Sequence, residues 1–530
     1  MSAFKEEKIA QQPQAVDIES TRNVAVETIP GTEYMRNSEK LRFGSQHNPP
    51  ELLFPHPTSD PLDPLNWSRI WKGIAIYNVS MCNFWFAVSS LSISPLFGLY
   101  IAEWNLTVPQ VSLTVGLTIL LLGAGSLIAV PMSNIYGRRV VMLLFGLGFI
   151  ATCIWQALAK SYTSFLAARA FAGLFSAPCE TLGVQVATDL FFLHERGIWV
   201  GVAILSTFLG TFIGPVIAGT MGERYGWPSF FWLCLAAFSF SYICLVVSFP
   251  ETKYRRYAAD SASNDLASLH SETLGHGKPK KANFKVIQPR DPRWKSHLVR
   301  DFIVPLRISS YPIVLWAGLC LTTGACITLV WNILQSFVFA APPYNFTTAQ
   351  VGYVNFAAAV GLIIGTLTAG PLSDWVAHKL TQRNGGVFEA EMRLPALIPY
   401  FIIITIGTVV AAVGLQREWP WAVIVILGFG AAGMMLSSVP TIAIAYAVDC
   451  YKPVSGEIMV VGTIIKNCTG FSFSYWVPEL GEAKGFMVPV LVFYAFCILA
   501  FLLPIPIYFW GKRLRLMTAD SPVHKLEEIL

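Results

Sequence analysis

Charge is scarce in this sequence: Asp, Glu, Lys and Arg together make up 13% of its 530 residues, about half the share found in soluble domains. Hydrophobic residues supply 54%, before 40 glycines are counted. A water-soluble core cannot enclose that much apolar surface, so the chain reads as an integral membrane protein. Histidine is missing from every long apolar run, because His47, His56, His194, His270, His276, His297, His378 and His524 all lie outside them. No histidine pair is therefore placed to hold haem or a catalytic metal inside a bundle, and no cofactor or metal is expected. Cysteine is missing from the long polar segments: Cys82, Cys153, Cys179, Cys234, Cys244, Cys320, Cys326, Cys450, Cys468 and Cys497 all fall in or beside apolar stretches, which argues against a disulfide framework. A phosphate-cradling G-x-x-x-x-G-K-[ST] loop is absent too, since Gly277-Lys278 runs into Pro279 and Gly511-Lys512 into Arg513. Any work done would have to draw on an ion gradient. The net charge of +5 is explained by where the basic residues sit, so no nucleic-acid partner is needed.

What is present is a series of twelve apolar runs, at approximately 73–100, 109–133, 140–159, 163–188, 198–220, 229–249, 311–340, 348–372, 394–415, 420–447, 456–477 and 486–510. Each is long enough for a membrane-spanning helix of about 20 residues. They divide the chain into a polar N-tail (1–72) expected to be disordered, a first six-helix bundle (73–249), a polar linker (250–310), a second six-helix bundle (311–510) and a C-tail (511–530). The N-tail has no apolar h-region, so no signal peptide is expected there. Among the 37 lysines and arginines, only Lys160, Arg224, Arg417 and Lys484 fall in one set of loops. Arg169 and Lys466 lie within runs, and all the others belong to the tails, the linker and the opposite loops. The positive-inside rule then puts both termini in the cytoplasm.

The two halves repeat. A shift of 240 residues aligns Asn105, Thr107, Gln110, Val111, Gly125, Pro131 and Ser133 with Asn345, Thr347, Gln350, Val351, Gly365, Pro371 and Ser373. A shift of 260 aligns Gly173, Asp189 and Gly210 with Gly433, Asp449 and Gly470. Parallel repeats of this kind imply a substrate site between the halves near mid-membrane.

After run 2 the chain reads Pro131-Met-Ser-Asn134-Ile-Tyr136-Gly137-Arg138-Arg139, echoed after run 8 by Pro371-Leu-Ser-Asp374-Trp-Val-Ala-His378-Lys379. This resembles the loop 2–3 signature of the major facilitator superfamily, an all-α membrane fold of twelve helices in two pseudo-symmetric bundles. Gly137 would let the chain turn sharply. The resemblance implies that Arg138 or Arg139 pairs with Asp189, and that His378 or Lys379 approaches Asp449, latching one side shut. Asn134 departs from the pattern, where the family usually has an acid; Asp374 keeps it in the second half. Alternatively the arginines serve only as topology anchors. Gly210-Thr-Phe-Ile-Gly214-Pro215-Val-Ile-Ala-Gly219 on run 5 resembles the antiporter motif of the drug:proton antiporters, although small residues at that spacing also suit plain helix packing. Asp60-Pro-Leu-Asp63-Pro-Leu-Asn66-Trp67-Ser68 and Phe249-Pro-Glu251-Thr252 resemble the fungal drug and polyamine transporter branch.

Arg169 and Glu180 on run 4 and Lys466 on run 11 are charges at membrane depth, which cost several kcal/mol unless they face a cavity or a partner. Arg169 and Glu180 lie eleven residues apart, about three turns and so roughly one face, and both are expected to point into the central cleft. Arg169-x-x-x-Gly173 resembles the family's run 4 signature, whose arginine is implicated in proton transfer. Burial disfavours a charged carboxylate, which makes Glu180 the candidate to take up a proton or recognise a cation. Lys466 could pair with Glu180, bind an anionic group or snorkel. Trp331, Asn332, Gln335 and Tyr446 suit the lining of a wide pocket.

The expected function is proton-coupled exchange of a small organic solute, with efflux of a drug-like compound or secondary metabolite across the plasma membrane as the leading reading and the vacuolar membrane as an alternative site. Import of an organic cation such as a polyamine, or a non-transporting receptor with the same fold, are the rival readings. The partners implied are the solute, protons and the lipid bilayer, with the chain acting as a monomer.

Overall fold

A computed structural model describes residues 31–34, 60, 62–254, 277–286, 294–451 and 455–518. The expectations for the rest of the two tails and for the linker segments 255–276 and 287–293 lie outside the described residues.

The first half consists of α1 (Arg69–Leu91), α2 (Val108–Tyr136), α3 (Arg138–Leu158), α4, α5 (Leu193–Tyr225) and α6 (Pro228–Ser248). Helix α4 is broken into α4a (Tyr162–Ser176) and α4b (Pro178–Leu190). The second half consists of α7 (Pro312–Phe339), α8 (Asn355–Arg383), α9 (Leu397–Gln416), α10 (Gly430–Cys450), α11 (Ser455–Lys484) and α12 (Met487–Leu502). A linker helix, Trp294–Ile308, precedes α7, and a terminal helix, Pro504–Thr518, follows α12. Among the described residues ten helical segments are long and apolar enough to cross a membrane. Helices α4 and α11 are not among the ten, and they are the two that carry Arg169, Glu180 and Lys466. They pack within the bundle beside the others.

The repeat seen in the sequence is also a repeat of local geometry. Asn105 and Asn345 both adopt left-handed backbone, at φ 50° and 51°. Two residues on, Thr107 and Thr347 each form a capping box with Gln110 and Gln350, in which the threonine hydroxyl takes an N–H and the glutamine takes the threonine's own. Pairs of helices cross at matched glycines as well. A β-carbon on Gly173 of α4a would lie 2.1 Å from the Thr118 carbonyl of α2, and one on Gly433 of α10 would lie 2.0 Å from the Ala358 carbonyl of α8. Such contact between backbones substitutes for a hydrophobic drive that lipid does not supply.

Residues 31–34, assigned from the sequence to a structureless tail, contain a short strand. β1 (Thr32–Tyr34) pairs antiparallel with β2 (Val387–Glu389), so the N-tail is joined to the second half. Arg515 of the terminal helix secures the junction. It donates to both carboxylate oxygens of Glu391, at 2.9 and 2.6 Å, and to the Thr32 hydroxyl at 3.0 Å. The segment before α1 is a compact turn in which Asp63 accepts the Leu65 N–H, and Lys72 reaches back to the Leu65 carbonyl.

Candidate functional site

The turn between α2 and α3 is built around Gly137, at φ 107°, where a β-carbon would lie 2.2 Å from the Glu251 carboxylate. The missing side chain lets Glu251 accept the N–H groups of Arg138 and Arg139, at 2.9 and 3.1 Å, and so cap α3. Arg138 is the residue that reaches Asp189, at 2.9 Å; it also donates to Asn134 at 3.0 Å. Arg139 turns away from Asp189 and donates to the Leu245, Val246 and Phe249 carbonyls that close α6. Asn134, in the place of the usual acid, accepts from Arg138 while donating to Asp301 of the linker helix at 2.7 Å.

In the second half the cation on Asp449 comes from an unexpected place. It is Arg393, in the turn before α9, which donates to Asp449 at 2.5 Å and to Asp374 at 2.6 Å. His378 instead contacts Gln382, and Lys379 lies over the Trp375 ring. An arginine fork can span two carboxylates at once, which a lysine beside Trp375 cannot.

Arg169 and Glu180 do not share a site. Pro178 has no N–H to continue α4a, so the chain breaks at Ala177 and restarts. Arg169 is fully buried inside the first half, where it donates to the Ser89 carbonyl at 2.8 Å, to the Ser90 carbonyl and to Gln156 at 3.3 Å. These carbonyls belong to the last turn of α1, an end of negative polarity that suits a cation. Glu180, in the first turn of α4b, sits where a helix N-terminus favours an anion. It faces the second half, accepting from Lys466 Nζ and from Asn467 Nδ2, the latter at 3.0 Å. Lys466 lies eleven residues into the 30-residue α11, about 17 Å from its start at 1.5 Å per residue. The pair is thus near the middle of the bundle, with side chains 12% and 9% exposed.

A second polar cluster crosses the seam nearer the end of the molecule away from Arg138. Ser94, after α1, donates to Asn332 at 2.9 Å; Gln335 donates to Ser94 at 2.6 Å, and Asn355 donates to Gln335 at 2.8 Å. Asn332 and Gln335 therefore fasten α7 to the first half and are buried in that contact. Trp331 packs on Phe429 within the second half, ring centroids 4.9 Å apart. Tyr446 is fully buried against Trp316, its hydroxyl 3.5 Å from Glu391. The ring partners of both aromatics belong to the second half.

The small-residue motif of α5 has two neighbours. Gly210 and Gly214 lie against α1, beside the Phe84 carbonyl and Ser92, whereas Gly219 lies against the Thr348 carbonyl of the second half. The Pro215 carbonyl in turn approaches Gly352, and Glu223 of α5 accepts the Ala349 N–H at 2.7 Å. Ser94, Ser336, Asn355, Glu223 and Asn467 are among the seam residues that sequence reasoning did not assign. The adjacency of Asn467 to Lys466 was the one signal available.

A family model described as Major Facilitator Superfamily matches residues 79–467. The chain belongs to the major facilitator superfamily. It is 27% identical to an uncharacterized MFS-type transporter, C1271.10c, of Schizosaccharomyces pombe, over 94% of each chain. It is 23% identical to the efflux pump radE of Floropilus chiversii, over 86% of this chain and 83% of that one. Among solved structures, the xylose transporter XylE from E. coli in a partially occluded inward-open conformation superposes with a TM-score of 0.56 at 13% identity, covering 82% of this chain and 98% of that one. The fold and the class, a multi-pass membrane transporter of this superfamily with fungal relatives, follow from these matches.

Proposed function

We propose that the protein is a proton-coupled secondary transporter that exports a drug-like compound or secondary metabolite in exchange for protons. The observation that carries this reading is the Glu180–Lys466 pair, a carboxylate and an ammonium contributed by opposite halves near mid-bundle. Protonating Glu180 would leave Lys466 without its counter-charge and weaken a contact between the halves, so proton uptake and relative motion are linked at one point. In this reading residues 73–249 rock against 311–510 about that point, and the Arg138–Asp189 and Arg393–Asp449 pairs hold the basic ends of each half in register. Both termini face the cytoplasm of a cell whose plasma membrane holds the chain as a monomer. The printed name of radE, an efflux pump, supports the outward direction.

The test is counterflow of labelled solute in proteoliposomes, with and without an imposed pH gradient, on cargo found by screening a deletion strain against a compound panel. Wild-type protein is expected to respond to the gradient, while Glu180→Gln reaches the membrane and loses the response. Unchanged pH dependence in that variant removes Glu180 from the mechanism. Absence of any flux favours the receptor reading, and lowered rather than raised cellular solute on deletion favours import.

A further inference from the structure

The linker helix Trp294–Ile308 has its polarity inside out. Its inward face carries adjacent charged residues that reach opposite halves: Arg300 donates to Glu457 at the start of α11, at 2.9 Å, and Asp301 accepts from Asn134 at the end of α2, at 2.7 Å. Val304 and Ile308, on the same side, join the apolar core of the second half. The outward face is apolar instead: Leu298, Phe302, Ile303 and Leu306 are 38%, 43%, 55% and 74% exposed. Spacings of four, one and three residues put these side chains on one stripe of the helix. Water is a poor neighbour for four large apolar groups within nine residues.

Two observations say what the stripe meets. The first is continuity. Helix α7 starts at Pro312, four residues after the linker helix ends, and there the surface becomes an apolar groove formed by Pro312, Leu315, Trp316, Leu503, Pro506 and Trp510. The second is charge. Lys295 and Arg307, at the two ends of the linker helix, are exposed, as are Lys512 and Arg513 beside Trp510 on the terminal helix. An apolar stripe with basic residues at both ends, on the element that leads into a groove holding an exposed tryptophan, has the chemistry of a helix lying in the headgroup region of an anionic leaflet.

We propose that the linker helix is seated in the bilayer surface at the basic end of the molecule, with Leu298, Phe302, Ile303 and Leu306 toward the acyl chains and Lys295 and Arg307 toward anionic headgroups. From that position it clasps α2 and α11 through Asp301 and Arg300. Separation of the two halves at this end then requires the helix to slide along the membrane or release one side, which makes the lipid surface a partner of the moving parts. The claim concerns the lipid contact alone, so its failure would leave the transport reading standing.

The test uses the full-length chain with the exposed Cys468 and the half-buried Cys244 replaced by Ala, the other eight cysteines being buried, and one cysteine introduced in place of Leu298, Phe302, Ile303 or Leu306, each carrying an environment-sensitive fluorophore. Reconstitution is into phosphatidylcholine vesicles with and without phosphatidylserine. All four labels are expected to be quenched several-fold more by a lipid bearing a nitroxide near its headgroup than by aqueous iodide. A label at Gln382, exposed at the same end, is expected to show the reverse preference. Phosphatidylserine should strengthen the lipid quenching, and Lys295→Gln with Arg307→Gln should abolish that gain. Iodide quenching at the four positions equal to that at Gln382 overturns the proposal. Shielding from both quenchers overturns it too, because a protein surface would then cover the stripe.

Discussion

Glu251 and Arg139 cap each other's helices. Glu251 accepts the N–H groups that open α3, and Arg139 donates to the carbonyls that close α6, the helix leading to Glu251. Each charge meets the helix end of opposite polarity, so the Phe249-Pro-Glu251-Thr252 segment and the Gly137-Arg138-Arg139 turn are one structural unit.

That unit should give the protein a pH signature. Burial pushes the Glu251 carboxyl above its ordinary range, against the opposing effect of the Lys253, Arg138 and Arg139 N–H donors and the Arg138 charge. An acid that holds its proton more tightly when folded takes up a proton on folding. Its contribution to stability therefore falls as pH rises from the ordinary glutamate value to the raised one. Thermal unfolding of detergent-purified protein, followed upward from about pH 4, should show this downward component in the wild type and lose it in Glu251→Gln. Glu251→Ala, which removes the cap altogether, should cost about 1–2 kcal/mol. An identical slope in Glu251→Gln would assign the effect to another group.

The Lys466–Glu180 pair predicts a non-additive cycle. Lys466→Met leaves a carboxylate near mid-bundle with only Asn467 as an observed partner, and breaking a buried pair in this way costs about 3–5 kcal/mol. Lys466→Met combined with Glu180→Gln removes both charges and should return stability to within about 1 kcal/mol of the wild type. Unfolding midpoints of the four proteins measure the coupling. Additive losses would mean that the two side chains act independently.

How far the sequence revealed this site depended on how local each signal was. The repeated capping boxes at Thr107 and Thr347 join residues three apart, whose contact the turn itself sets; the pairing of Arg138 with Asp189, 51 residues away, was legible only through the family motif. Arg393 was not legible: it lies 19 residues from Asp374 and 56 from Asp449, and no periodicity links a turn residue to two carboxylates on other helices. Trp331 and Tyr446 were misplaced for a different reason. A helix buried on several faces gives an aromatic ring several equivalent places to pack, and α7 is buried along nearly all its length. Pro178 was a readable break in run 4, and reading it would have separated Arg169 from Glu180. The linker helix was hidden by the basic, proline-containing segment around it, although the Leu298, Phe302, Ile303 and Leu306 stripe carries the helical period.

The Arg393 fork yields a direct comparison with the neighbouring cations. Arg393→Ala unpairs Asp374 and Asp449 together, and loss of hydrogen bonds to charged groups costs about 1.5–3 kcal/mol. Lys379→Ala, which removes only a contact with the Trp375 ring, should change stability by less than about 1 kcal/mol. Arg393→Lys should recover part of the loss, because an ammonium can meet one carboxylate but not span both. Unfolding midpoints decide the matter, and equal losses at Arg393 and Lys379 would contradict the fork as the second half's connection.

Matched glycines should fail in matched ways. Gly173→Ala and Gly433→Ala each force a methyl group to within about 2 Å of a backbone carbonyl on the crossing helix, at Thr118 and Ala358 respectively. A backbone cannot swing aside as a side chain does, so α2 and α4a, or α8 and α10, must separate. The loss expected is about 1–3 kcal/mol for each. Gly370→Ala is the control, since no atom beyond its chain neighbours and its own helix backbone lies within 4 Å of its β-carbon position. There the added methyl should be neutral or stabilising by up to about 1 kcal/mol through helix propensity. If the two crossings are equivalent by the repeat, their losses should agree within about 0.5 kcal/mol and add in the double variant, as remote sites do. A loss at Gly173 with none at Gly433 would show that only the first half depends on close approach at this crossing.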